Sequence, residues 1–83
     1  MNADELKEVA VDKTVDARGT ACPGPLLAAK KEIANIASGQ VMEVLSADEA
    51  TKRDIPKWAQ KKGHEYMGVL EEDGYFRIYL KKG

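Results

Sequence analysis

The chain has 83 residues, of which 43% are hydrophobic and 33% charged, a composition typical of one soluble globular domain rather than a disordered segment. Thirteen basic and fourteen acidic side chains give a formal net charge of −1, which argues against a general nucleic-acid binder. The single cysteine excludes an intramolecular disulfide framework, and one cysteine with one histidine is too small a ligand set for a structural metal site.

The amino-terminal segment, residues 1–8, mixes acidic and basic side chains and lacks the apolar core of a signal peptide. We expect it to be a flexible segment of one domain that spans residues 1–83. No apolar run approaches the ~20 residues that cross a bilayer, so no membrane association is expected. These features favour the reducing cytoplasm.

Hydrophobic spacing predicts the first strand and the first helix. The strand ends near Ala17 and carries three valines, Val9, Val11 and Val15. The helix runs from about Pro25 to Ala37 and is closed by Ser38 and Gly39. Its predicted apolar face consists of Leu26, Ala29, Ile33, Ile36 and Ala37. Leu27 falls off this stripe, either as a scattered surface leucine or as part of an apolar rim for a partner protein.

A second strand is predicted over residues 40–47, where β-branched and apolar residues lie between turn signals. After it, Asp48 could cap a short turn, or the second helix could begin near Asp54 with Pro56 in its first turn. In either case the helix covers roughly Ile55 to Lys62 and ends at Gly63. Its predicted buried stripe consists of Ile55, Trp58 and Ala59.

A third strand over residues 64–71, an Asp73-Gly74 turn and a fourth strand over residues 75–80 complete the order βαβαββ. Because strand–helix–strand crossovers are right-handed, both helices should cover the same face of a four-stranded sheet, in a two-layer α/β sandwich of the α+β type. In the last strand the buried face holds Phe76, Ile78 and Leu80. The opposite, partly open face is predicted to hold Tyr75, Arg77 and Tyr79. This face either binds RNA bases or is simply exposed to solvent, and the weak net charge favours the second alternative.

Cys22 is the residue on which a functional hypothesis can be built. Pro23 and Pro25 suit the first turn of a helix, where N–H groups have no intrahelical acceptor. This places Cys22 at or near the N-cap, with the free N–H groups of Gly24 and Leu26 directed toward its sulfur. The positive end of the helix dipole would then favour the thiolate. The alternative is a small, buried, unreactive cysteine.

The topology also decides which side chains can approach this sulfur. The carboxyl ends of parallel strands meet at one edge of a sheet, and three cations are predicted near that edge: Arg18, Lys52 and Arg53. They either stabilise a thiolate on Cys22 or form a solvated charge run. His64 belongs at the opposite edge, which disfavours a Cys–His catalytic pair. With no base and no second cysteine, the thiol suits a carrier that accepts a group from one protein and passes it to another.

Two sequence blocks carry a family resemblance. Val15-Asp16-Ala17-Arg18-Gly19, followed by Cys22-Pro23-Gly24-Pro25, resembles the signature of the TusA (SirA-like) sulfur-carrier family. Residues 47–56 resemble another shared segment of that family, which includes Asp48, Thr51, Asp54, Ile55 and Pro56. The resemblance covers about residues 12–82, with both blocks in the family's order.

The resemblance implies strand order 1-2-4-3, with strand four antiparallel to the others. It also implies a sulfurtransferase-type carrier without a cofactor, in which a cysteine desulfurase, rhodanese-like or DsrE-type protein loads sulfane sulfur onto Cys22 as a persulfide. An acceptor protein then takes the sulfur for tRNA thiolation, molybdenum-cofactor synthesis or sulfur oxidation. Gly24 stands where many members carry Glu, which leaves partner choice open. The alternative hypothesis is a non-catalytic regulatory or protein-binding module with a structural cysteine.

Overall fold

Four strands and two helices follow one another in the predicted order βαβαββ in a computed structural model, which describes residues 8–19 and 24–83. The elements are β1 (Lys13–Asp16), α1 (Gly24–Ile33), β2 (Val41–Ser46), α2 (Glu49–Lys61), β3 (Glu65–Glu72) and β4 (Tyr75–Lys81). Residues 1–7 and 20–23 lie outside the described part of the chain, so the predicted flexibility of residues 1–8 and the predicted position of Cys22 and Pro23 at a helix start stay predictions.

The strands form one mixed sheet in the order β1-β2-β4-β3, which confirms the predicted topology. β1 pairs with β2 in parallel, and β4 is antiparallel to both β2 and β3. Both helices pack on the same face of this sheet. The core between the two layers contains Val15, Ala29, Ile33, Ile36, Met42, Val44, Ile55, Trp58, Phe76, Ile78 and Leu80. Neither helix in the described part of the chain combines the length and the hydropathy of a bilayer-crossing span.

The second face of the sheet is covered in part by the segment before β1. Val9 and Val11 pack there against a small cluster of Val41, Leu70 and Tyr79, together with Met67. Tyr75 and Arg77 are partly exposed on this face, as predicted, whereas Tyr79 is only 3% exposed. Because its ring is covered, Tyr79 offers no platform on which an RNA base could stack.

Two predicted boundaries in the first half of the chain are wrong. Val9 and Val11 lie outside β1, which begins only at Lys13; their alternation reflects packing on the second face rather than pairing in the sheet. Helix α1 ends at Ile33 instead of Ala37, because Asn35 and Ile36 donate to carbonyls three residues back and tighten the last turn. Ile36 is still buried, while Ala37 is exposed.

Helix α2 begins at Glu49, earlier than the predicted start near Asp54. Asp48 is its N-cap, with its carboxylate accepting a hydrogen bond from the backbone N–H of Ala50 at 2.9 Å. Pro56 therefore lies inside the helix and not in its first turn. The helix continues through the proline because its buried stripe packs on the sheet, a stripe that consists of Thr51, Ile55, Trp58 and Ala59.

The β3–β4 hairpin turns at Asp73 and Gly74, as predicted, and Gly74 has a φ of 83° that glycine adopts without strain. An irregularity that the sequence analysis did not predict occurs in β3. Tyr66 pairs with Leu80 and Gly68 with Tyr79, so Met67 is an extra residue in a β-bulge. The glycine within a strand pattern is the sequence signal that could have indicated it.

Candidate functional site

Three connections meet at one edge of the sheet, which we call the carboxyl edge. β1 and β2 both end there, since Asp16 pairs with Leu45 in a parallel register. The β3–β4 turn lies there too, because Ser46 at the end of β2 pairs with Phe76 near the start of β4. The connection from β1 to α1, which contains Cys22, therefore leaves from this edge.

The described residues on either side of Cys22 are the end of the connection after β1 and the start of α1. The chain is described up to Gly19, after the end of β1, and again from Gly24, the first residue of α1. Pro25 is buried, and Leu26 packs partly against the core, so the start of α1 is fixed to the sheet. Cys22 precedes Gly24 by two positions, in agreement with a cysteine next to a helix start. Its placement at or near the N-cap stays a prediction.

Arg18 lies at the end of β1 and binds Asp16 with both arms of its guanidinium. Nε donates to Oδ1 at 2.9 Å and Nη2 to Oδ2 at 2.8 Å, and the backbone N–H of Arg18 also donates to Oδ1. These bonds, the side-chain bond first, lower the pKa of Asp16 to about 2. Both side chains are about half exposed. Arg18 is thus a partnered cation that holds the chain just before the cysteine segment.

The guanidinium of Arg18 also lies over the ring of Tyr75, 5.1 Å from its centroid. Arg77 binds the same tyrosine, because its Nη2 donates to the Tyr75 hydroxyl oxygen at 3.0 Å. This bond is the main reason why the pKa of Arg77 is raised. The sequence analysis assigned Tyr75 and Arg77 only to an open sheet face and did not connect them with Arg18. Their position directly after the hairpin turn was the available signal.

A buried carboxylate anchors this group to the sheet. Glu43 is only 5% exposed and accepts hydrogen bonds from Thr14 Oγ1 at 3.3 Å and from Arg77 Nη1 at 3.5 Å. Burial, followed by the interaction with Glu43, raises the pKa of Tyr79 to about 12. Since a buried charge is stable only when it is paired, Glu43 requires Arg77 to stay in place.

Lys52 and Arg53, the other two predicted cations, differ in their surroundings. Lys52 binds the carboxylates of Glu49, at 2.9 Å, and Glu71, and these contacts raise the pKa of the lysine, with Glu71 the larger cause. Arg53 is the more exposed of the two, with Nε 3.6 Å from a carboxylate oxygen of Asp54. Each of the three predicted cations therefore has a carboxylate neighbour, and Arg53 is the most accessible.

The second sequence block builds the junction between β2 and α2. Ser46 donates a buried hydrogen bond to the Thr51 hydroxyl at 3.1 Å and accepts one from the backbone N–H of Asp48. Ile55 is fully buried, and Asp48 caps the helix. These contacts position the start of α2 at the carboxyl edge.

Two further predictions concern Leu27 and His64. Leu27 is 57% exposed near the start of α1, off the buried stripe as its spacing predicts. His64 precedes β3 at the opposite edge of the sheet, as predicted, and its Nδ1 accepts a hydrogen bond from the backbone N–H of Gly83 at 3.1 Å. Its ring lies 5.4 Å from that of Trp58. No cluster of metal-ligating side chains is present in residues 8–19 and 24–83.

The family model described as Sulfurtransferase TusA matches residues 13–82. The chain belongs to this family. The sulfur carrier protein TusA of Pseudomonas entomophila is 39% identical over 71 residues, which span 86% of this chain and 89% of that protein. A protein of Archaeoglobus fulgidus is 50% identical over 68 residues, which span 82% of this chain and 93% of that protein.

The fold of this TusA family member agrees with a solved structure. The crystal structure of a SirA-like protein from Desulfitobacterium hafniense matches with a TM-score of 0.76 and 32% sequence identity. The match covers 86% of this chain and 97% of that chain. The resemblance stated from the two sequence blocks is thereby confirmed at the level of family and of fold.

Proposed function

We propose that this protein is a sulfur carrier that holds sulfane sulfur as a persulfide on Cys22. The observation that carries the proposal is membership of the TusA family over residues 13–82, a range that contains the Cys22-Pro23-Gly24-Pro25 block. The start of α1 two residues after the cysteine supports it, because the positive end of a helix stabilises a nearby thiolate.

The transfer is a thiol–persulfide exchange without net oxidation. The Cys22 thiolate attacks the terminal sulfur of a donor protein's persulfide, a new S–S bond forms on Cys22, and the donor cysteine leaves as a thiolate. In the second half, a nucleophile of the acceptor attacks the terminal sulfur on Cys22, and Cys22 leaves as the thiolate. No base within the carrier is required if both attacking groups are ionised, which is consistent with His64 lying at the opposite edge.

The partners proposed for these two steps are proteins. The donor is a cysteine desulfurase, a rhodanese-like enzyme or a DsrE-type protein, and the acceptor belongs to tRNA thiolation, molybdenum-cofactor synthesis or sulfur oxidation. Leu27 is proposed as part of their contact surface, because it is a large apolar side chain exposed close to the start of α1. Arg53 is the accessible cation proposed for the same surface.

The proposal is tested by incubating the protein with a cysteine desulfurase and cysteine and then measuring its intact mass without a reductant. We expect a gain of one sulfur atom that dithiothreitol removes. Cys22→Ser is the matched control and should gain none. An unmodified wild-type mass, or an equal gain in Cys22→Ser, would contradict the proposal.

A further inference from the structure

A groove of about 500 Å³ lies between the C-terminal ends of the two helices, at the edge of the sheet opposite to the carboxyl edge. It is lined by Lys30 and Ile33 of α1 and by Trp58, Lys62 and His64 in and after α2. Helix α1 has ten residues, so at 1.5 Å per residue its two ends are about 15 Å apart. The groove is therefore separate from the Cys22 segment.

The walls of the groove combine apolar and cationic groups. Ile33 and Trp58 belong to the core and supply the apolar part of the lining, which we call the floor, with 7% and 8% of their surfaces exposed. The ammonium groups of Lys30 and Lys62 lie on exposed side chains and have no ion pair with any residue in ranges 8–19 and 24–83. Lys13 and Lys52 are each bound to carboxylates, whereas Lys31 and Lys57, outside the groove, likewise have no ion pair with a described residue.

His64 also lines this groove. Its Nδ1 accepts the hydrogen bond from Gly83, so in the neutral ring the proton is on Nε2, which is a donor. The groove thus combines one imidazole ring, an apolar floor and two ammonium groups that have no ion pair within the described part of the chain. It has no carboxylate among its described lining residues.

We propose that this groove binds an acidic segment of a partner protein, with an aliphatic or aromatic side chain on the floor of Ile33 and Trp58 and carboxylates at Lys30 and Lys62. Charge complementarity selects an acidic partner. A protein fits better than a nucleic acid, because a few cations on a chain of net charge −1 cannot follow a phosphate backbone. The inference does not depend on the proposed sulfur chemistry, since it uses other residues at the other end of α1.

Trp58 is the only tryptophan of the chain, so its fluorescence reports directly on the groove. The probe is a short acetylated and amidated peptide with four glutamates around a central leucine, and the comparison peptide has glutamines in place of the glutamates. We expect a saturable change in Trp58 emission with the acidic peptide and about three- to tenfold weaker binding of the glutamine peptide, because the loss of two exposed ion pairs is worth a factor of about that size.

The variant Lys30→Glu with Lys62→Glu reverses the charges at the groove, and Lys31→Glu with Lys57→Glu is the matched control, because both of those lysines are exposed and outside the lining. The groove variant should bind the acidic peptide at least about tenfold more weakly, and the control should bind within about twofold of wild type. Thermal unfolding of both variants checks that they fold. If the charge-reversed groove variant does not fold, Lys30→Gln with Lys62→Gln gives a milder second test.

Three results would overturn the proposal: an acidic peptide that gives no saturable change, equal weakening in the groove and control variants, or an oligothymidylate that binds as tightly as the acidic peptide. The failure of the sulfur-carrier proposal is measured separately. The groove variant should still gain one sulfur atom on Cys22 in the mass assay. A wild-type chain that gains sulfur but does not bind the acidic peptide therefore contradicts only the peptide-binding proposal.

Discussion

The guanidinium of Arg18 lies 5.1 Å from the ring centroid of Tyr75, although the two residues belong to opposite halves of the sequence. Arg18 precedes the Cys22 segment, and Tyr75 is the first residue of β4, directly after the hairpin. The contact joins the first and the last connection at the carboxyl edge. The tyrosine in turn is bound by Arg77, which is paired with the buried Glu43. The position of Arg18 is thus tied to the interior of the sheet.

Substitution of Tyr75 should reveal this connection. Tyr75→Phe removes the hydrogen bond to Arg77 but keeps the ring, and we expect it to lower the free energy of unfolding by about 1 kcal/mol. Tyr75→Ala also removes the ring under Arg18 and should cost more. Urea unfolding of these variants, with and without Arg18→Ala, gives the coupling. If Arg18→Ala destabilises the Tyr75→Ala protein as much as it destabilises wild type, the contact has no energetic role.

The Asp16–Arg18 pair should contribute to stability in a pH-dependent way. The pKa of Asp16 falls from 3.8 to about 2 in the folded protein, mainly because Arg18 donates to it. A lowered carboxyl pKa gives stability that is fully present above pH 4 and is lost as the pH falls toward 2. We expect Asp16→Asn to be less stable than wild type at pH 7 and to lose less stability between pH 4 and pH 2.

Urea unfolding at a series of pH values from 2 to 7 measures this difference. Asp73→Asn in the exposed hairpin turn is the matched control for removal of one carboxylate. An acid limb of Asp16→Asn that is parallel to that of wild type would rule out the contribution of the pair. The side chains are about half exposed, so the effect should also weaken in high salt.

The proposed thiolate on Cys22 predicts a fast-reacting thiol. We expect the alkylation rate by iodoacetamide to follow a titration with an apparent pKa well below the model-peptide value of about 8.5, because the helix start favours the anion. The same measurement in urea, where α1 is unfolded, is the control and should return a value near 8.5. Equal values in the folded and unfolded chain would favour the alternative of a structural cysteine in a binding module.

Replacement of Pro56 separates stability from function in the second sequence block. The proline removes one backbone donor inside α2, so Pro56→Ala should restore a helical hydrogen bond and raise the free energy of unfolding by about 1 to 2 kcal/mol. Chemical denaturation measures the gain, and the persulfide mass assay measures the function. A more stable variant with unchanged sulfur loading shows that the proline has no part in loading, whereas a less stable one contradicts the backbone argument.

The parts of this fold that the sequence predicts are those governed by local pattern. The alternation of Phe76, Ile78 and Leu80 gives the buried face of β4, and the spacing of Ile55, Trp58 and Ala59 gives the buried stripe of α2. The Asp73-Gly74 pair gives the hairpin turn. The sheet order came from the family resemblance, because local periodicity does not state which strands are neighbours.

The rest could not be predicted because it depends on contacts between distant residues. Val9 and Val11 have the spacing of a strand, but the pattern records which side chains are buried and not which backbone groups pair. Ile36 continues the apolar period of α1 and is buried, although the helix has already ended. The link from Arg18 through Tyr75 to Glu43 spans three strands and has no local signature. The functional role proposed for Cys22 is based on its neighbours in the sequence.

The extra residue in β3 affects whether a strand of another molecule can pair with this edge of the sheet. β3 is an outermost strand, and the other outermost strand, β1, has only four residues. At Met67 the regular alternation of amide and carbonyl groups on β3 is broken, and the charged side chains of Glu65, Glu71 and Glu72 lie along the strand, Glu71 paired with Lys52 and Glu72 with Arg77. An incoming strand from another molecule would find no continuous template on β3 and would have to pair beside charged side chains. The bulge therefore protects the protein against open-ended strand addition and leaves association to its side-chain surfaces.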